Sequence, residues 1–149
     1  MNLSEHFTLA EMTRSAAATR KGIPNVAPDA IVAKLRGVCE HILEPVRAHY
    51  GRPVTVLSGY RAPAVNKAVG GAASSQHLKG EAADFIVNGV SNIEVCRWMQ
   101  ANMNYDQLIY EFGEAGWIHC SWREGVLRNQ EISAVKRGGR TLYLPGIVA

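Results

Sequence analysis

Cysteine is scarce in this sequence. Cys39, Cys96 and Cys120 are its only three, and no two of them form a Cys-x-x-Cys pair. An odd count without paired spacing argues against a disulfide framework and against a cysteine-rich metal site. Cys120 stands in an alternating apolar stretch, which predicts a small residue of the core.

Long apolar runs and dense positive charge are also missing. No run approaches membrane-spanning length, and the opening stretch, MNLSEHFTLAEM, lacks the basic and apolar segments of a signal peptide. We therefore expect a chain made in the cytoplasm without a signal peptide and without a membrane partner. The formal charge is only +3, with no Lys/Arg-dense helix, so we expect no nucleic-acid partner. This mild excess suits an anionic polymer instead.

The patterns that are present predict an α+β fold. With 149 residues, of which 47% are hydrophobic, the chain suits one domain spanning residues 1–149, which we expect to be monomeric. Apolar residues at helical spacing predict a long helix from about Asp29, kinked at Pro45 and ended by Gly51. Short strands are predicted at 54–60, 107–112, 117–122 and 141–144. Because helices mostly precede strands, we expect a small antiparallel sheet with helices packed on one side.

The segment SSQHLKGEAADF raises the first question of chemistry. His77 and Asp84 are seven residues apart, which is about 10 Å along a helix and farther along a strand. They can share an ion only if the chain reverses between them. Gly80-Glu81 suits a two-residue hairpin turn, since Gly permits the positive φ that such a turn needs. That turn would place His77 directly opposite Asp84, within reach of one zinc ion.

A catalytic zinc site needs a third protein ligand. His119 stands in a predicted strand, unlike His6, His41 and His49, which lie near or on helices. A three-residue turn at 114–116 would pair this strand with residues 107–112 so that one face is wholly apolar. The other face would then carry Glu111 directly opposite His119. A carboxylate there suits a general base, and Glu114, in the turn, is the rival candidate.

Together these residues resemble the D-alanyl-D-alanine carboxypeptidase-like zinc peptidases, which share their fold with the Hedgehog signalling domain. The family's hallmark is Ser-x-His-x-x-Gly-x-Ala-x-Asp, and the segment from Ser75 to Asp84 matches every fixed position. Upstream, the Ser-Gly-Tyr-Arg ending at Arg61 looks like the family's substrate-binding arginine motif. Downstream, Trp117-Ile118-His119 looks like its third-ligand strand. Between Leu9 and Trp122 the order and spacing resemble phage-type members.

The resemblance implies zinc held by His77, Asp84 and His119, with water in the fourth position. It implies that Arg61 steadies the scissile carbonyl or a substrate carboxylate, and that Ser75 bonds substrate near the metal. Ser75 could equally cap a turn. Trp117 would wall the pocket. Many members place the base three residues before the last ligand, or a His two before it; those positions are Gly116 and Trp117 here, which leaves Glu111 as the candidate.

The activity implied is zinc-dependent hydrolysis of peptide bonds in peptidoglycan stem peptides or cross-links. The resemblance to phage-type members implies an endolysin, which would act on the cell wall after release. Two alternatives stay open. One is a non-catalytic zinc-binding module of a phage particle, as in Hedgehog domains, and the other is a carboxypeptidase or dipeptidase acting on D-Ala-D-Ala. The sequence does not choose the scissile bond.

Overall fold

A computed structural model describes residues 1–148, which form one six-stranded sheet and six α-helices. The helices are α1 (Leu9–Thr13), α2 (Ala16–Lys21), α3 (Asp29–Val38), α4 (Glu44–Tyr50), α5 (Pro63–Ala68) and α6 (Asn92–Asn102). The strands are β1 (Val54–Ser58), β2 (Ala82–Val87), β3 (Gln107–Glu111), β4 (Trp117–Ser121), β5 (Gln130–Arg137) and β6 (Arg140–Pro145). In the described residues no helix is both long and apolar enough to cross a membrane.

The α+β class is confirmed, but the sheet is mixed rather than wholly antiparallel. Its order is β1-β2-β4-β3-β5-β6, and β5 runs parallel to β3 while every other neighbouring pair is antiparallel. The sequence did not predict β5. Strand β4 ends beside the start of β3, with Ser121 paired to Gln107. Residues 122–129 then stay at that end of the sheet, so β5 starts beside Gln107 and must run in the same direction as β3.

The predicted long helix is interrupted where proline was expected to disturb it. A π-helical segment, Cys39–Leu43, joins α3 to α4 just before Pro45, and the Glu44 N–H bonds to the Cys39 carbonyl. Proline has no N–H to continue the α-helical pattern, so the preceding turn is the one that changes its spacing. Gly51 ends α4 with a φ of 60°, as expected.

The two faces of the central strands differ in kind. Alternate residues of β2 and β4 enter a core built with α1, α3 and α6; these residues are Ala83, Phe85, Val87, Ile118 and Cys120. All three cysteines are buried and unpaired, and burial raises the pKa of Cys39 and Cys96 to about 12. The predicted core position of Cys120 is thus confirmed. The opposite face of the same strands carries the polar side chains that form the candidate site.

Candidate metal centre

Strands β2 and β4 place two of the three predicted ligands side by side. Asp84 pairs with His119 across this antiparallel ladder, and with Ser58 of β1 on its other side. Both side chains project from the face opposite the core, because their neighbours along each strand point into it. Both are nonetheless buried. The central position of the two strands therefore fixes the backbone beneath this pair on both sides.

His77 arrives from a tight turn rather than from a strand. A 3₁₀-helix, Gln76–Lys79, ends at Gly80, whose φ is +69°. The chain reverses at Gly80 as predicted, but the expected two-residue hairpin with His77 directly opposite Asp84 is wrong. A 3₁₀ turn forms because the Ser75 hydroxyl accepts the His77 N–H at its start. Gly80 must lack a side chain there, since a Cβ would lie 2.7 Å from Ile31 of α3.

The three predicted ligands converge on one point. Their nearest donor atoms all lie within 4.8 Å of one another. Nε2 of His77 is 3.3 Å from one Asp84 oxygen, and Nδ1 of His119 is 3.0 Å from the other. The Nδ1 of His77 lies 2.6 Å from the Gly59 carbonyl oxygen, which can only accept, so His77 carries a proton there and offers Nε2 to an ion. Two imidazoles and one carboxylate fit a zinc ion.

The electrostatics of Asp84 suit a site for a cation. Burial by itself would raise the pKa of this carboxyl group. When both nitrogens of His77 and of His119 carry protons, their positive charge and the hydrogen bonds they then donate outweigh burial and hold the pKa of Asp84 below its usual value. The carboxylate therefore stays ionised at neutral pH, which is the form that binds a metal ion.

The β3–β4 hairpin has a different register from the predicted one. Glu111 pairs with Trp117 and Ile109 with His119, so Glu111 is diagonal to His119 and not directly opposite it. The loop holds five residues instead of three because Phe112 adopts a left-handed conformation, with φ 60°, ahead of a 3₁₀ turn. Gly116 closes the loop where a Cβ would lie 1.8 Å from the Glu111 carbonyl oxygen. A shift of two residues preserves the faces, so Glu111 still lies on the site face.

Glu111 stands beside the ligands as a half-buried carboxylate. Its Oε1 is 3.9 Å from Nδ1 of His119. Burial raises the pKa of Glu111 and the nearby Asp84 carboxylate raises it further, while His119, the Trp117 indole and Arg61 oppose this rise without cancelling it. A carboxyl group whose pKa is raised above its ordinary value suits a residue that accepts and returns a proton.

Glu114, the rival candidate base, is engaged elsewhere. Its carboxylate accepts the N–H groups of Asn92 and Ile93 at 2.7 and 2.9 Å, and the Tyr110 hydroxyl at 2.6 Å. It therefore caps the start of α6, outside the cleft that contains the three ligands. These hydrogen bonds outweigh desolvation and lower the pKa of Glu114.

The ligands open into a cleft of about 980 Å³ that Arg61, Ser75 and Trp117 also line. Arg61 donates to Asn66 at 3.1 Å, and its Nε has no hydrogen-bond partner within residues 1–148. Burial lowers the pKa of Arg61, whereas Asp84 and Glu111 raise it. The indole N–H of Trp117 has no close hydrogen-bond partner among the described residues, although it lies near enough to Glu111 to lower the pKa of that carboxyl group. Ser75 serves as the cap of the 3₁₀ turn and still borders the cleft, so both of its predicted roles fit its position.

The other histidines lie outside the site. His6 contacts Glu44 at 2.7 Å, His41 stacks on Trp122, and His49 stacks on Trp98. Sequence reasoning missed a residue that touches a ligand: Gln76 lies 2.9 Å from Nε2 of His119. Its position next to His77 in the motif is the only local signal, since its partner is 43 residues away.

A mixed sheet with a His-Asp-His cluster on its open face, and one further carboxylate beside it, defines a candidate mononuclear metal hydrolase. A family model described as Peptidase M15 matches residues 5–121. The chain belongs to the peptidase M15 family, which confirms the resemblance to the carboxypeptidase-like zinc peptidases. Membership indicates a hydrolase that acts on peptide bonds. A search of curated proteins returned no match.

Proposed function

We propose that this protein is a zinc-dependent peptidase that hydrolyses peptide bonds in the stem peptides or cross-links of peptidoglycan. One observation carries the proposal: His77, Asp84 and His119 offer donor atoms within 4.8 Å of one another, with Glu111 beside them. A purely structural zinc site closes its coordination with four protein ligands, whereas a catalytic one has three and keeps a position open. Three ligands in an accessible cleft suit the catalytic kind.

Each residue of the cleft has its own role in the reaction. A zinc ion held by the three ligands would supply Lewis acidity, polarising the scissile carbonyl and acidifying water. Glu111 accepts the proton of the attacking water on its carboxylate and delivers it to the leaving amine. The Arg61 guanidinium lies where it can stabilise the negative charge that develops on the carbonyl oxygen, or bind a carboxylate of the substrate. Trp117 contributes an apolar wall beside Glu111.

The choice of peptidoglycan is supported by cationic side chains in the cleft and by the resemblance to phage-type peptidases. Besides Arg61, Lys79 lines the cleft, whereas Arg128, which also lines it, is paired with Asp106. Arg61 and Lys79 can bind carboxylates of a substrate, which stem peptides carry. The protein would then act as an endolysin, made in the cytoplasm and reaching the wall after release.

Digestion of purified sacculi tests this function. The zinc-loaded protein is expected to release new amino termini, and mass spectrometry of the fragments identifies the bond that is cut. Release of single D-alanine residues would instead indicate a carboxypeptidase. A protein that binds zinc but releases nothing from sacculi, or from D-Ala-D-Ala peptides, would overturn the proposal in favour of a zinc-binding module.

A further inference from the structure

A buried carboxylate outside the ligand set, Asp106, is clamped by Arg128 and lies 3.7 Å from Nε of a second arginine, Arg123. Asp106, just before β3, is 2% exposed. Arg128 donates through Nε to one of its oxygens at 3.0 Å and through Nη2 to the other at 2.7 Å. The backbone N–H of Arg128 adds a third contact at 3.3 Å. A carboxylate held by this two-pronged arrangement is ionised, so it can only accept hydrogen bonds.

This clamp fixes which way the Gln76 amide points. The amide lies between Asp106 and His119, at 3.1 Å from the carboxylate and 2.9 Å from the imidazole. Because Asp106 can only accept, Gln76 must turn its NH₂ group toward the carboxylate. Its carbonyl oxygen then faces Nε2 of His119, and the opposite orientation would bring two acceptors together.

The orientation of the amide in turn decides where His119 carries a proton. An amide oxygen only accepts, so Nε2 of His119 must carry the hydrogen. The lone pair is then left to Nδ1, which is the nitrogen 3.0 Å from Asp84 and within the ligand cluster. His77 reaches the same condition with a single backbone contact, its Nδ1–H to Gly59. For His119 the condition depends on three side chains in series.

We propose that Gln76 is a positioning residue, held by Asp106 and Arg128, that keeps the proton of His119 on Nε2 and thereby presents Nδ1 to the metal ion. This inference rests on the metal site of the proposed function. The inference adds that Arg128, which lies beyond the residues matched by the family model, helps to determine which nitrogen of His119, inside the match, carries the proton. Outer partners of metal-bound histidines commonly act in this way and affect metal affinity by about 10–100-fold.

The test measures zinc affinity and the His119 proton rather than turnover. Metal-free protein is titrated with zinc against a competing chelator for wild type, Gln76→Leu and Asp106→Asn. We expect Gln76→Leu to weaken zinc binding by about 10–100-fold. Asp106→Asn should weaken zinc binding less than Gln76→Leu does, because the amide at position 106 keeps one acceptor oxygen. Its NH₂ group then faces either Arg128 or Gln76, so only one of these two contacts is lost. Gln107→Leu is the matched control, since the Gln107 side chain also borders the cleft but donates its hydrogen bond to Gln130 and not to a ligand.

A nitrogen NMR measurement separates positioning from simple packing. In the zinc-loaded wild type, His119 is expected to show a slowly exchanging Nε2–H, and Gln76→Leu should lose that slow exchange. Circular dichroism checks that each variant is folded. If Gln76→Leu is not folded, the same measurements are made on Asp106→Asn. If the folded variant binds zinc as tightly as the wild type and keeps a slowly exchanging Nε2–H, the inference is overturned while the proposed function is unaffected. Failure of the wild type to bind zinc would overturn the proposed function as well.

Discussion

The two faces of β2 and β4 are organised by different forces, although alternate residues of the same strands build both. On one face Phe85 and Ile118 are fully buried against the helices and are held by packing. On the other face Asp84 and His119 are also buried, but directed polar contacts with each other and with Gln76 hold them. The side chains of the first face are held in place by the apolar area they bury. The arrangement on the second face depends on which atoms carry protons.

This difference separates stability from function within a single pair of strands. An apolar residue can be exchanged for another of similar volume at modest cost, because packing is not directional. A polar residue of the site face cannot, because its partner is then left buried without a hydrogen bond. Changes on the core face should therefore alter unfolding, and changes on the site face should alter zinc binding and turnover.

The largest effect is expected at a ligand. His119→Ala should weaken zinc binding by more than about 100-fold, since loss of an outer partner alone reaches that range. Turnover of sacculi should vanish with it. Zinc content per folded molecule after dialysis measures the first effect. His49→Ala, which removes a histidine stacked on Trp98, should retain zinc. Equal loss in both variants would argue against the cluster.

Glu111→Gln should separate chemistry from metal binding. The amide cannot accept the proton of water, so kcat should fall by roughly 10²–10⁴-fold. Zinc affinity should change little, because Glu111 is not one of the three ligands. Initial rates on a defined stem peptide, measured alongside zinc content, give both quantities. Unchanged turnover would remove Glu111 from the mechanism.

Phe85→Ala tests the opposite face. This side chain is fully buried, and its loss should lower the free energy of unfolding by about 3–5 kcal/mol. Zinc affinity per folded molecule should stay near that of the wild type. Urea denaturation measures the first, and chelator competition the second. Phe85→Leu should cost much less, and a matching fall in zinc affinity would show that the two faces are coupled.

The smallest effect is expected at Glu114. Glu114→Gln weakens the cap of α6 and should cost about 1 kcal/mol at pH 7, with turnover unchanged. Because the folded state lowers the pKa of Glu114, its contribution is present above the ordinary carboxyl pKa and is lost as the pH falls through the lower folded value. The difference in urea midpoint between wild type and variant should therefore narrow below about pH 4. Lost turnover would revive Glu114 as the base.

The sequence predicted what depends on local pattern. The spacing of His77 and Asp84 required a chain reversal, and the glycine at position 80 marked its place. The alternation of β3 and β4 assigned Glu111 and His119 to one face. It did not give the register, because a shift of two residues leaves every side chain on its face. The loop length depended on Phe112 in a conformation that non-glycine residues seldom adopt.

What the sequence did not predict depends on contacts between distant residues. Strand β5 pairs with β3 in parallel after a connection that carries no regular structure. The Gln76–Asp106–Arg128 series joins three segments, and each residue taken alone reads as an ordinary polar side chain. Only the folded structure shows that Gln76 is half-buried, that Asp106 is buried, and that Gln76 contacts His119.

The Arg128 clamp also has a consequence for protein engineering. Strands β5 and β6 lie beyond the region matched by the family model, and Thr141 and Tyr143 of β6 line the cleft. This hairpin is therefore a natural unit to exchange between relatives in order to change substrate range. The crossover point of such a chimera belongs after Arg128 and not at Ser121, where the match ends. A graft that starts before Arg128 would change the substrate specificity and would also disturb the third metal ligand, His119.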